Sequence, residues 1–276
     1  MPSLRLHYKD FAVWQKARGF TTDEAHWLNR LAGMPETLAL PYDFEVREER
    51  DFRGDFERGT IAPAVADALR RLARARRTTT SNVVLAVFKL VLFQLTKQED
   101  FCVGVSVANR SRAELENLIG FFVNILPVRT RCSESMEFDE LLAQVTAAAD
   151  EALEHQDYPF DLLVQKVNPA RANNRQPLLN VVYGFQNYSD VHVEVGADAT
   201  ASASAAAELA PAREFERTFR TSKFDLTLFV DDHGAGQQLA LALEYDTGLF
   251  RPETVRRQVQ LLERFAGMVA KLAPPA

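Results

Sequence analysis

The sequence predicts an α/β fold, a two-layer sandwich in which a mixed β-sheet carries helices mainly on one face. Three observations predict it. Segments with helical and strand periodicity are interspersed along most of the 276 residues. Residues 101–108 form a short valine-bearing apolar run, as expected of a central strand covered on both faces. Near the end, residues 224–230 and 239–245 alternate apolar and polar around Asp232-His233-Gly234-Ala235-Gly236, the pattern of an antiparallel hairpin.

Taken in order, residues 8–18 and 22–32 read as two short helices. Thr22 or Asp23 can cap the second, and Trp27, Leu28 and Leu31 give it an apolar face. Proline-bearing residues 34–41 connect to a weak strand at 51–58. A helix over 63–76 begins with Pro63 in its first turn and presents Val65, Leu69 and Leu72 on one side. The run 80–96, capped by Thr80 or Ser81, is apolar nearly all round and predicts a buried helix. A strand at 122–129 precedes an amphipathic helix over 137–154, whose core side is Phe138, Leu141, Leu142, Val145 and Leu153. A shorter helix at 160–167, an aromatic-bearing strand at 178–187 and a closing helix at 252–271 complete the set. Residues 189–214, with the Ala/Ser-rich stretch 199–207, are low in complexity and predict a mobile loop.

Composition narrows the function classes. Hydrophobic residues make up 47% of the chain, enough for a substantial core, and the net charge is -6. Lys and Arg are scattered, so no basic stripe for nucleic acid is visible. The densest basic run, Arg70 to Arg77, falls at the end of a predicted helix, where cations complement the carbonyl end of the dipole. No apolar run approaches the ~20 residues that span a bilayer. Cys102 and Cys132 are far apart and lack a zinc-site pattern, which points to a reducing cytoplasm. Cys102 reads as a small buried hydrophobe.

A search for catalytic sets finds five histidines, none adjacent to another, and no G-x-S-x-G, Walker A or H-E-x-x-H motif. Asp231-Asp232-His233-Gly234 has acid–base letters, but its place between two strands makes turn chemistry the expectation.

Three longer segments are more informative. Tyr8-Lys9-Asp10-Phe11-Ala12-Val13-Trp14-Gln15, Ile119-Gly120-Phe121-Phe122-Val123-Asn124 and His155-Gln156-Asp157-Tyr158-Pro159-Phe160-Asp161 follow one another in that order. Between and after them stand Glu24-Ala25-His26-Trp27-Leu28-Asn29-Arg30-Leu31, Ala108-Asn109-Arg110, Asn174-Arg175-Gln176-Pro177-Leu178-Leu179 and Ser222-Lys223-Phe224-Asp225-Leu226. Over residues 4–271 this order resembles the condensation domain of nonribosomal peptide synthetases.

The resemblance implies a chloramphenicol-acetyltransferase-like half of a pseudo-dimer, with a reaction tunnel between two halves. It implies amide formation between a donor thioester and an acceptor amine, both delivered by peptidyl carrier proteins. Phosphopantetheine then arrives on those partners, and no cofactor or metal resides in this chain. The family's His-His-x-x-x-Asp-Gly motif lies upstream of the first segment, which begins here at residue 8. The expectation is therefore a C-terminal half, inactive alone, with residues 1–33 as connecting segment and 34–276 as the subdomain. It would be an excised half, a natural split enzyme, or a non-enzymatic module docking carrier proteins or a partner half. An exposed interface predicts self-association.

By resemblance, Trp14, Gly120, Phe122 and Asn124 line the tunnel or the interface between halves, with no catalytic residue in this chain. Trp14 also fits a core aromatic, and Gly120 a backbone requirement at a strand entry. Asn124, in an apolar strand, must find partners or face a cavity. His155, Asp157, Pro159, Arg175 and Pro177 are expected to be structural. His155 ends a long helix, Pro159 opens the next, and Arg175 is a candidate partner for Asp157 or Asp161.

Overall fold

The computed structural model describes residues 6–35, 37–47, 49–167, 178–187 and 220–275. The expected loop at 189–214, together with Arg175 and Pro177, lies outside the described residues.

The chain opens with α1 (Tyr8–Ala17) and α2 (Thr21–Leu31). The main body follows as β1 (Gly54–Ile61), α3 (Pro63–Ala75), α4 (Thr80–Thr96), β2 (Asp100–Val107), β3 (Asn124–Arg131), α5 (Phe138–Glu154), α6 (Phe160–Val167), β4 (Val181–Asn187), β5 (Leu226–Asp232), β6 (Leu239–Asp246) and α7 (Pro252–Val269). One six-stranded sheet runs in the order β1-β6-β5-β4-β2-β3. The β6 strand is antiparallel to β1 and β5, β4 is parallel to β5 and β2, and β3 is antiparallel to β2. The sheet is therefore mixed, as the interspersed pattern predicts.

Strand alternation decides which face is covered. Leu226, Leu228 and Val230 of β5 join Leu239, Leu241, Leu243 and Tyr245 of β6 in the main core with the apolar sides of α3, α4, α5 and α7. Ala240, Ala242 and Glu244 alternate onto the opposite face, where each is partly exposed. The helix α4 is buried along most of its length, as its all-round apolar sequence requires. Gly59 lets α7 close on β1, since a Cβ there would stand 2.4 Å from Val259 Cγ1. Asp232 Oδ1 accepts from the Gly234 N–H at 2.9 Å, and positive φ at Gly234 and Gly236 turns the β5–β6 hairpin.

Several local expectations are corrected. The cap of α4 is Thr79, whose hydroxyl accepts from Asn82 N–H, rather than Thr80 or Ser81. The N-cap of α2 is Phe20, which makes no side-chain cap; Thr22 and Asp23 lie inside the first turn, and Asp23 pairs instead with Arg18 and His155. The first strand begins at Gly54 and the third at Asn124, each two or three residues later than the pattern places them. Arg70 does not serve a helix end. It is buried and pairs with Asp232 at 2.6 Å and Asp67 at 2.7 Å. Leu153 leaves the core side of α5, which is filled by Ala148, Ala149 and Ala152 instead.

Candidate functional site

The three long segments, dispersed in sequence, meet at one corner of the molecule. Its hub is Asn124, the first residue of β3. Asn124 Nδ2 donates to the Gln156 and Tyr158 carbonyls, each at 2.8 Å, and Oδ1 accepts from Phe160 N–H at 3.0 Å. One buried amide thus fixes the α5–α6 corner onto the start of β3 and leaves no polar atom of its own unpaired. Pro159 stands in that corner, and its carbonyl accepts from Leu163 N–H in the first turn of α6.

The first segment locks on from the other side. Tyr8 Oη donates to the Phe121 carbonyl at 2.9 Å. Gly120 is required by a close approach, because a Cβ there would lie 2.3 Å from the Tyr8 ring. Its φ is not in the left-handed region, so the expected backbone requirement gives way to a packing one. Phe122 is buried in a small satellite core with Phe11, Leu115 and Leu118. It packs edge-on to Tyr8 at 5.1 Å and lies under the Arg110 guanidinium at 4.3 Å. Trp14 borders this satellite core, half-buried, with the Arg112 guanidinium over its ring at 4.5 Å. The fully buried tryptophan is Trp27, whose Nε1 donates to the His155 carbonyl at 3.2 Å.

Charge completes the corner. Arg18, just past α1, pairs with Asp157 and reaches Asp23 at 3.5 Å. Asp23 Oδ1 also lies 2.7 Å from His155 Nδ1. The His155 ring stacks on His26 at 3.8 Å between centroids. Burial, followed by the neighbouring His155, lowers the His26 pKa, so the neutral imidazole is favoured there. Although Asp23 and His155 have the spacing of an acid–base pair, no serine, threonine or cysteine is hydrogen-bonded to either imidazole among the described residues. The described residues also contain no His/Cys/Asp/Glu group able to hold a metal ion.

The corner also presents a surface. Alternation along the second segment turns Phe122 and Asn124 inward and Ile119, Phe121 and Val123 outward, exposed by 95%, 73% and 51%. Arg18 and Asp23 escaped sequence reasoning because neither lies in a local pattern that announces a partner more than a hundred residues away. The pairing suggested between Arg175 and Asp157 or Asp161 lies outside the described residues on the arginine side, while Arg18 and Ser111 hold Asp157. Elsewhere, Lys89 is wholly buried on α4, donating to the Val128 carbonyl at 2.8 Å beneath the Phe101 ring.

A mixed sheet with one principal helical layer, edged by a corner that displays an apolar ridge, defines a chloramphenicol-acetyltransferase-like α/β fold. More narrowly, the chain belongs to the condensation domain family, whose model matches residues 1–273. Similar curated proteins include tyrocidine synthase 3 of Brevibacillus parabrevis, 37% identical over 93% of this chain and 4% of that protein. Surfactin synthase subunit 1 of Bacillus subtilis is 37% identical over 93% of this chain and 7% of its own length. The chain thus spans less than a tenth of the length of these two relatives. Among solved structures, the X-domain from teicoplanin biosynthesis superposes with a TM-score of 0.84 at 19% identity, over 100% of this chain and 62% of that one. A four-domain nonribosomal peptide synthetase, holo-AB3403 bound to AMP and glycine, gives 0.74 at 20% identity over 91% of this chain and 19% of that one. No single described helix is long and apolar enough to cross a membrane.

Proposed function

We propose that this chain is one wall of a two-part condensation chamber, in which an acceptor amine attacks a donor thioester to form an amide. The C–N bond forms, the C–S bond breaks, and the departing thiolate takes up the proton released by the amine. Family membership and the synthetase relatives support amide formation in general. Both substrates arrive on the phosphopantetheine arms of peptidyl carrier proteins, and this chain holds no resident cofactor. The proton-handling histidine comes from a partner half bearing His-His-x-x-x-Asp-Gly. These 276 residues contain no adjacent histidines, and His26 and His155 are held in the corner. The two cysteines, both free and buried, fit a reducing cytoplasm.

The observation that carries the reading is the ridge of Ile119, Phe121 and Val123, displayed to solvent by a corner built from all three family segments. An apolar surface held this rigidly fits a mate. The test uses donor- and acceptor-loaded carriers with the chain alone, the complementary half alone, and the two mixed. Amide is expected only in the mixture. Amide from this chain alone overturns the division of labour, and a mixture that neither associates nor reacts overturns the two-part chamber.

One observation favours a second reading, a non-catalytic docking module. The X-domain from teicoplanin biosynthesis, also solved in complex with OxyB, shares the fold with a TM-score of 0.81. Under that reading, a mixture of halves associates without making amide.

A further inference from the structure

A cavity of about 240 Å³ lies between α1 and the 3-10 turn Ala113–Leu115, against the flank of the satellite core. Its floor is apolar, made by Phe11, Leu115 and Leu118 of that core with Leu6 and Trp14 beside them. Its volume falls below the ~300–1,000 Å³ of drug-sized sites. The space suits one molecule of amino-acid size.

We propose that this cavity binds a free α-amino acid with a large apolar side chain. The rim decides the charge. His7, Asp10, Arg112 and Glu114 are the ionisable residues that line it. Asp10 is engaged, its Oδ2 accepting from the His7 backbone N–H at 2.9 Å. Arg112 and Glu114 are exposed and two residues apart, and among the described residues neither pairs with the other or with any other ion. Arg112 lies over the Trp14 ring at 4.5 Å, a contact that uses the guanidinium face and leaves its N–H donors free. The Cα atoms of residues two apart stand at most ~7 Å from each other. One molecule can therefore set an α-carboxylate on Arg112 and an α-ammonium on Glu114 at once.

The unlike charges select against relatives that carry only one. A simple amine offers nothing to Arg112, and a simple carboxylate offers nothing to Glu114. The floor decides the side chain, since each apolar surface laid on Phe11 and Leu118 adds to the driving force. Such a ligand differs from the substrates of the proposed condensation, whose carboxyl groups are held as thioesters and carry no charge.

The probe is L-phenylalanine, titrated calorimetrically into this chain alone, beside 2-phenylethylamine, 3-phenylpropionate and glycine. L-Phenylalanine is expected to bind at least about tenfold more tightly than each of the three. Arg112→Gln should weaken it by about tenfold and leave phenylethylamine unchanged, and Glu114→Gln should weaken it as much and leave phenylpropionate unchanged. Both side chains are exposed, so the unfolding midpoints should stay where they are. Equally tight phenylethylamine or phenylpropionate overturns the doubly charged ligand, and equally tight glycine overturns the apolar floor. Undiminished binding in both variants overturns the location, and no binding at ~10 mM L-phenylalanine overturns the site. Carriers and the partner half are absent from this titration, so its failure leaves the two-part chamber standing and the reverse also holds.

Discussion

At the scale of single residues, Asn124 and Lys89 show how differently buried polarity is used. Asn124 satisfies all its bonding capacity at the corner, with two carbonyls and one N–H of the 156–160 segment. Asn124→Ala strands those three backbone groups. A loss of about 2–4 kcal/mol is expected from urea unfolding, since buried groups left unpaired cost ~1–3 kcal/mol each and partial rehydration recovers some. Asn124→Asp should be worse, because it points an anion at two carbonyl oxygens. Lys89 is the opposite case, a cation with one carbonyl bond and no carboxylate. Burial lowers its pKa from 10.5 to about 8. Below pH 8 the lysine is charged in both folded and unfolded states, and burial costs the fold about 3 kcal/mol. Between pH 8 and 10.5 the unfolded chain binds more protons, so stability contributed at this position rises with pH. Lys89→Met should therefore stabilise the protein at pH 7, and its advantage over the parent should shrink toward pH 10.5. Tyrosines titrate in both proteins and cancel, but Cys102 and Cys132 are held down by Lys89 against burial, so both curves are taken in a Cys102→Ala, Cys132→Ala background, where the difference isolates Lys89. A constant difference from pH 7 to 10.5 would refute the assignment.

At the scale of elements, α1 is weakly embedded: Phe11 alone among its residues is buried. It is attached through the Tyr8–Phe121 bond, the satellite core and Arg18. Gly120→Ala would drive a methyl into the Tyr8 ring and break the first attachment. Because the main core is untouched, global unfolding should move by less than about 1 kcal/mol. The amides of α1 should instead exchange faster by about tenfold, the signature of local opening. Unchanged exchange in α1 would mean that Tyr8 does not hold it. Such elements were largely legible from periodicity. The α4 and α6 helices stand where the pattern places them, and the hairpin does so once its first strand is moved two residues on, to Leu226–Asp232, because each carries an apolar rhythm that names its inward side. Leu153 was misassigned for a physical reason. Periodicity reports which side of a helix faces inward, but not where the neighbouring layer stops short of it.

At the scale of the whole molecule, the ridge of Ile119, Phe121 and Val123 is the surface whose exposure calls for a partner. Self-association through it is expected at high concentration, since identical copies offer the same apolar face. Phe121→Asp combined with Ile119→Asp should shift the sedimentation profile toward monomer without lowering the unfolding midpoint, as both side chains point to solvent. A dimer that survives both charges must use another face.

The amino-acid sequence by itself determined the elements, the buried rhythm of α4 and the hairpin, and the ordered segments by which the family is recognised. These are local properties, written in spacing and turn chemistry. The tertiary structure alone decided what those segments do. It brought Asn124 to the 156–160 backbone, Arg18 to Asp157, and His155 between Asp23 and His26. It also ended the β2–β4 ladder after two paired positions. No residue's own chemistry names a partner more than a hundred positions away; chain topology does, by deciding which polar groups are buried together and must satisfy one another.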